Sequence, residues 1–174
     1  MSELDRRLDL ERLRDLRGRY RHPWIRRALL TAMLAGVAIA ATGAIGQPTK
    51  TVVAGAGGAR LEVQVPSVLR GGLMWRARIA VKTDRDIDHP RLILGPGFVE
   101  GMQLNTIEPG PDSEAGRGPR VVLSYAALKA GDELVVYAQL QVNPTTVGRQ
   151  DTSVELDDET ALVARVAHTT RVLP

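Results

Sequence analysis

The feature that most constrains this chain is an uncharged run of residues from Ala28 to Thr49, ALLTAMLAGVAIAATGAIGQPT, which ends at Lys50. A helix rises about 1.5 Å per residue, so its more apolar part, residues 28–46, would extend about 28 Å, close to the hydrocarbon thickness of a bilayer. A helix buried in a soluble protein would need a polar face, and residues 28–46 offer only Thr31 and Thr42. The run therefore predicts a transmembrane helix over residues 28–49.

The distribution of charge predicts how that helix is oriented. Residues 1–27 contain nine arginines and five acidic residues, whereas the remaining fourteen basic and fifteen acidic residues nearly cancel. Arginine-rich segments stay on the cytoplasmic side of a membrane. We therefore predict a basic, partly helical cytoplasmic tail over residues 1–27, with residues 59–174 outside the cytoplasmic membrane. The near-neutral outer part, poor in aromatic residues, disfavours nucleic-acid binding.

A cleavable signal peptide is the alternative to a permanent anchor. Both Ala38-Ile39-Ala40 and Ala44-Ile45-Gly46 present small residues at the spacing of a cleavage site. Either alternative places the C-terminal part of the chain outside the membrane. We favour the uncleaved anchor, because the 27-residue leader is long for the positively charged region of a signal peptide.

Small residues recur every fourth position along the predicted membrane helix. Ala28, Ala32, Gly36, Ala40 and Ala44 would form one smooth ridge along which two helix backbones can approach closely. Such ridges favour helix pairing in lipid, where there is no water to expel from the contact. The ridge predicts a possible homodimer through the membrane helix, and an Ala-rich segment also produces this spacing by chance.

The remainder of the chain has the period of β-strands. A Gly-rich stretch, residues 50–58, predicts a flexible spacer, and apolar and polar residues alternate beyond it. Regularly spaced strands without intervening helices favour an all-β fold, an antiparallel sandwich of seven or eight strands over residues 59–174. The predicted strands cover residues 61–65, 75–81, 91–94, 102–107, 120–125, 133–142, 152–156 and 161–173.

A resemblance supports that architecture. The succession LEVQVPSVLRGG and LKAGDELVVYAQLQVNPTTVGRQDTSVELDD resembles bacterial immunoglobulin-like modules, over residues 59–174. The cysteines and tyrosine corner of antibody domains are missing, so the likeness is one of architecture. With RDLRGRYRHPWIRRALL and HTTRVLP included, the chain is similar to uncharacterised single-pass membrane proteins of high-GC bacteria, a family that brings no assigned activity with it.

The motifs of common catalytic chemistries are missing from the sequence. It contains no cysteine, no G-x-S-x-G elbow and no Walker motif. Asp84, Asp86 and Asp88 alternate like the first ligands of a calcium loop, but the glycine and glutamate that complete an EF-hand are absent. His89 and His168 could share a site only if the fold brings them together. We therefore predict no metal and no cofactor.

These observations favour a binding or accessory module that contacts a protein in the membrane or envelope and has no catalysis of its own. The alternative from another class is an extracytoplasmic hydrolase that uses carboxylates on a sandwich face, such as Glu155 and Asp157. A secreted sandwich released by signal cleavage is a further alternative. The polar loop at residues 108–119 is interpreted as a mobile connection rather than a binding site.

Overall fold

The computed structural model describes residues 21–41 and 48–174. The chain divides into two units between Gly46 and Gln47. The first unit contributes one helix and the second unit contributes β-strands.

Helix α1 runs from Arg21 to Ala41, and every residue from Pro23 onward is exposed. The segment Pro23–Ala41 is long and apolar enough to cross a membrane, or to serve as a signal sequence. The boundary predicted at its C-terminal side is wrong, because Thr49 begins a β-strand rather than ending the helix.

Thirteen strands lie in the described part of the second unit. They form a five-stranded sheet A, in the order β1-β2-β4-β9-β6, a three-stranded sheet B, in the order β10-β13-β3, and a five-stranded sheet C, in the order β12-β11-β5-β8-β7. The strands are β1 Thr49–Ala56, β2 Ala59–Pro66, β3 Val68–Arg70, β4 Met74–Thr83, β5 Pro90–Leu94, β6 Met102–Glu108, β7 Ser113–Arg117, β8 Arg120–Ser124, β9 Glu133–Val142, β10 Gly148–Asp151, β11 Val154–Asp158, β12 Ala161–Val166 and β13 Thr169–Leu173. A 3-10 turn, η1, covers Pro96–Phe98.

The described strand pairs are antiparallel, apart from the parallel pair of β13 with β3. Apolar side chains from sheets A and C meet in one core. Leu61 and Leu140 of sheet A and Leu92 of sheet C are fully buried, and Trp75 lies 6.0 Å from Phe98 between ring centroids. The predicted antiparallel sandwich is thereby confirmed in its coarse form, a mostly β unit preceded by an apolar helix.

The predicted spacer over residues 50–58 is wrong, because most of it is strand β1. Thr49 to Ala56 pair with β2 in antiparallel register. Gly57 and Gly58, with φ of 57° and 79°, form the turn between the two strands. Glycine is the residue that adopts such positive φ angles without steric cost, so the Gly-rich stretch ends in a hairpin rather than a loose linker.

Two further predictions need correction. The segment at 108–119, predicted as a loop, contains β7, whose exposed residues pair with β8 at the edge of sheet C. The single strand predicted at residues 161–173 is two strands, β12 in sheet C and β13 in sheet B. The count rises from seven or eight to thirteen because one predicted strand is two and because β1, β3, β7 and β10, which bury few side chains, were not predicted.

Candidate binding surface

The outer side of sheet A is a polar surface built from alternate residues of four strands. Because successive side chains of a strand point to opposite faces, the residues between the buried core positions face outward. The register aligns Arg78 with Tyr137, and Tyr137 with Glu108. We call this surface the polar face: Arg60 and Glu62 of β2; Arg76, Arg78 and Lys82 of β4; Glu133, Tyr137 and Gln139 of β9; Thr106 and Glu108 of β6.

One part of the polar face is an ionic network around a shallow depression of ≈ 270 Å³. Arg78 Nη1 lies 3.1 Å from Glu62 Oε1, and Arg78 Nη2 lies 4.0 Å from Glu133 Oε1. Lys82 Nζ lies 3.1 Å from Glu133 Oε2. Both carboxylates are thus held by cations, an arrangement that suits recognition of a charged partner better than proton transfer.

The adjoining part surrounds a second depression, of ≈ 390 Å³, lined by Arg76, Thr106, Glu108, Tyr137 and Gln139. The Arg76 guanidinium lies 5.7 Å from the centroid of the Tyr137 ring, and Tyr137 is 39% exposed. Thr106 Oγ1 donates a hydrogen bond of 3.3 Å to Gln139 Oε1. Tyrosine and arginine are the residue types that anchor protein interfaces, so this part can bury an aromatic side chain against a partner.

The sequence alternation identified the residues of β4 and β9 that point away from the core, but it did not identify the polar face. That surface depends on which strands are neighbours. Residues such as Arg76 and Glu108, which lie on β4 and β6, line one depression because β9 lies between those two strands. A period-two pattern contains no information about this order.

The outer side of sheet C carries Glu155 and Asp157, the carboxylates considered for hydrolysis. Glu155 accepts hydrogen bonds of 3.0 Å from Arg120 Nη1 on both carboxylate oxygens, and Arg165 Nε lies 3.3 Å away. Both oxygens of Glu155 are thus engaged by arginine side chains.

Asp157 is in a different environment, since it is only 6% exposed. Its Oδ1 has no hydrogen-bond partner among the described residues, and its Oδ2 lies 4.0 Å from Arg117 Nη1. Burial, together with the negative charge of Glu155, raises the pKa of Asp157. This pair therefore consists of one carboxylate paired with two arginines and one whose charged form is disfavoured by burial.

The two histidines do not share a site. The backbone N–H of His89 donates to Asp158 Oδ1, at the C-terminal end of β11, whereas His168 Nδ1 lies 2.8 Å from Thr152 Oγ1, before the N-terminal end of that strand. Five strand residues separate the two positions, roughly 15–20 Å. Burial, with a smaller contribution from Lys50, lowers the pKa of His168.

Of the three aspartates that resemble a calcium loop, Asp86 has a structural use. Asp86 accepts hydrogen bonds from the backbone N–H of Ala130, at 2.9 Å, and from Lys129 Nζ, at 3.0 Å. These two donors lower the pKa of Asp86. Among the described residues, no group of three His, Asp or Glu side chains has the arrangement of a metal site.

The predicted ridge of small residues lies on helix α1. Ala28, Ala32, Gly36 and Ala40 are all exposed, and a Cβ atom added at Gly36 would meet nothing within 4 Å. Ala44 lies outside the described residues. Helix pairing through this ridge stays a prediction.

No family model matches the chain, and no curated protein matches it. Several solved structures are similar to it. A non-cellulosomal cohesin from the hyperthermophilic archaeon Archaeoglobus fulgidus is 15% identical, with a TM-score of 0.42 over 72% of this chain and 92% of that chain. CaCohA2 from Clostridium acetobutylicum is 8% identical, with a TM-score of 0.42 over 72% of this chain and 91% of that chain. The chitin-binding domain of a chitinase from Pyrococcus furiosus is 9% identical, with a TM-score of 0.31 over 67% of this chain and 90% of that chain.

Proposed function

We propose that this protein is a membrane-anchored binding module without catalysis of its own, which holds its sandwich outside the cytoplasmic membrane and binds a protein of the membrane or envelope through the polar face. The N-terminal tail is cytoplasmic in this proposal. The observation that carries it is the polar face itself: a sheet surface with paired charges, an exposed Tyr137 and two adjacent depressions.

Two observations support anchoring by helix α1. Its large apolar side chains are exposed, from 54% at Leu30 to 71% at Trp24, so they are available to lipid. The Arg27 guanidinium lies 5.8 Å from the Trp24 ring centroid, at the end of the helix next to the arginine-rich tail. Tryptophan and arginine are typical of the membrane interface. The immunoglobulin-like assignment of the sandwich and the orientation of the helix both stay predictions.

The composition of the polar face favours a protein over a lipid or a nucleic acid as partner. Cations and carboxylates alternate across β2, β4 and β9, so the face presents both signs of charge instead of a uniform field. A partner with its own mixture of charges can match such a pattern, and electrostatic complementarity of this kind provides specificity. The exposed Tyr137 and Arg76 supply the anchor residues at its centre.

Site-specific photo-crosslinking of the full chain in native membranes tests the proposed face. A photoreactive amino acid at Gln139 should form a crosslink to one defined protein, and Tyr137→Ala combined with Arg76→Ala should reduce its yield at least tenfold. The same probe at Ala115, on the outer side of sheet C, is the matched control position. Equal crosslinking from both positions, or a yield that the double variant leaves unchanged, would contradict the proposal.

Anchoring and orientation need their own experiment. Protease added to intact spheroplasts should digest the sandwich and spare the tail, because only the sandwich lies outside the membrane in this proposal. N-terminal sequencing of the mature protein distinguishes the anchor from the secreted alternative. A mature chain that begins near Ala41 or Gln47 would establish cleavage and overturn anchoring.

One observation favours the alternative of a carboxylate hydrolase, namely the contrast between Glu155, which is paired with two arginines, and Asp157, whose pKa is raised. The environment of the pair argues against it. Arg120 and Arg165 form ion pairs with Glu155, and Asp157 is buried. Neither carboxylate therefore presents an accessible, unpaired oxygen to a substrate. Purified protein that hydrolyses a glycoside or ester, and loses this activity in Asp157→Asn, would reverse our preference.

A further inference from the structure

A second surface, on the outer side of sheet B, carries three exposed arginines. Arg149 of β10 lies directly opposite Arg171 of β13, and Arg70 of β3 lies opposite Leu173. Thr170 and Val172, on either side of Arg171 in β13, are buried, so Arg171 points away from the core. Like charges directly opposite on neighbouring strands are unfavourable unless an anion compensates them. We call Arg70, Arg149 and Arg171 the basic face.

Among the described residues, the basic face has no counterion. None of its three side chains forms an ion pair or a hydrogen bond with another described residue. Elsewhere on the sandwich, Arg78, Lys82 and Lys129 are each paired with a carboxylate, whereas the exposed Arg60 and Arg85 also form no ion pair with a described residue. The nearest acidic residue in the register, Asp151, accepts a hydrogen bond from the backbone N–H of Ser153. Arginine guanidinium groups match oxyanions such as phosphate geometrically, so the face suits a phosphate-bearing ligand.

The basic face lies at the end of the sandwich where the chain enters it, the proximal end. The backbone N–H of Ser67 donates to the carbonyl of Pro48 at 2.9 Å, and that of Arg171 donates to the carbonyl of Ser67 at 2.9 Å. Lys50, two residues after Pro48, adds a further exposed cation there. Helix α1 precedes this end in the chain, because Pro48 is the first described residue of the second unit.

The opposite, distal end of the sandwich carries carboxylates. Strand β2 runs from the distal end at Ala59 to the proximal end at Pro66. At the distal end, the backbone N–H of Asp84 donates to the carbonyl of Gly58. Asp86, Asp88 and Asp132 lie on the same group of loops and are all exposed. The distal loops thus carry carboxylates together with Arg85 and Lys129, whereas the basic face places three arginines close together at the proximal end.

We propose that the basic face docks on the phosphate headgroups of anionic phospholipids and so holds the sandwich with its proximal end on the membrane. This inference rests on the proposed function, since it takes helix α1 as the membrane anchor. Each arginine close to an anionic membrane surface shifts the balance toward the docked state about fivefold. The strands of sheet A run between the two ends, so docking leaves the polar face open to a protein partner.

The chain contains no cysteine, so a single introduced cysteine can be labelled without background. Thr169→Cys places a fluorophore on β13 beside the basic face, and Ala130→Cys places one at the distal end; both positions are exposed. The full chain is reconstituted in nanodiscs that contain a headgroup-quencher lipid, with or without phosphatidylglycerol. We expect quenching at position 169 in phosphatidylglycerol nanodiscs, little in phosphatidylcholine nanodiscs, and none at position 130.

Charge variants identify the groups responsible. Arg149→Gln with Arg171→Gln should lower the ratio of docked to undocked sandwich about 25-fold, at about fivefold for each arginine, and high salt should act in the same direction. Arg85→Gln with Arg117→Gln is the matched control, because it removes the same charge from exposed positions outside the basic face and should leave quenching unchanged.

Three results would overturn the inference. The first is equal quenching in anionic and zwitterionic nanodiscs, and the second is quenching that the double variant leaves unchanged. The third is no quenching at position 169 in any nanodisc, together with arginine-dependent binding of soluble inositol hexakisphosphate. That result would assign the face to a free polyanion. If alkali extracts the chain from the nanodiscs, anchoring fails, and arginine-dependent cosedimentation with phosphatidylglycerol vesicles then tests docking separately.

Discussion

Helix α1 and the β-sandwich use similar apolar residues in opposite ways. Leu29 and Leu34 of the helix are 62% and 70% exposed, whereas Leu61 and Leu140 of the sandwich are fully buried. The sandwich has a complete core between sheets A and C. The helix exposes apolar side chains that water solvates poorly, so it needs another apolar medium. Leucine thus stabilises the folded core in the sandwich, whereas in the helix it favours contact with an apolar medium.

The largest effect should come from the core. Leu140→Ala removes a fully buried side chain and should lower the free energy of unfolding of the sandwich by about 2–5 kcal/mol. Leu34→Ala, the same change at an exposed helix position, should leave that free energy unchanged. Denaturant unfolding followed by the fluorescence of the buried Trp75 measures both. If both variants lowered the free energy of unfolding by a similar amount, the proposed difference between buried and exposed leucines would be wrong.

A charged substitution in helix α1 should impair the helix and leave the stability of the sandwich unchanged. Leu34→Arg places a cation near the middle of the segment Pro23–Ala41 and should disfavour membrane insertion by about 3 kcal/mol. The sandwich itself should unfold as in the wild type. Alkaline extraction of membranes measures insertion. Full retention of the Arg variant in the membrane fraction would contradict the assignment of α1 as a membrane span.

A smaller, pH-dependent effect distinguishes the buried carboxylate of the sandwich. The pKa of Asp157 is raised above the ordinary aspartate value of 3.8, so ionisation disfavours the folded state. This penalty is absent below pH 3.8 and grows as the pH rises through the folded-state pKa. Asp157→Asn should therefore stabilise the protein by about 1 kcal/mol at pH 7, with the difference disappearing as the pH falls toward 3.8.

Denaturant unfolding at pH 7 and pH 4 measures this difference. The matched control is Asp84→Asn, which makes the same chemical change at an exposed position. An advantage of Asp157→Asn that is the same at both pH values would show that packing, and not ionisation, is responsible.

The smallest effect concerns the ridge of small residues on α1. Gly36→Ile adds a branched side chain where an added Cβ meets nothing within 4 Å, so it should not disturb the helix itself. It should weaken any pairing of two helices by about 1 kcal/mol, while insertion remains intact. Energy transfer between labelled chains in nanodiscs measures pairing, and Val37→Ile, off the ridge, is the control. Identical transfer in wild type and Gly36→Ile, or none in wild type, would end the pairing hypothesis.

The sequence by itself was sufficient for the apolar helix and for the long strands of the core. Residues 61–65, 75–81 and 133–142 were predicted as strands and lie within β2, β4 and β9. These strands bury one side and expose the other, so burial imposes a period of two on the sequence. The apolar run is visible for a similar reason, because a membrane anchor or a signal sequence needs a continuous run of apolar residues.

Only the tertiary structure decided which strands are neighbours and where charges meet. The short or edge strands β1, β3, β7 and β10 were missed, because backbone hydrogen bonds to a partner define them and few of their side chains are buried. Sequence reasoning also did not identify the polar face, the opposed Arg149 and Arg171, or the burial of Asp157 beside Glu155. Periodicity records which side of a strand is buried, whereas these features depend on contacts between distant segments, which a local pattern does not contain.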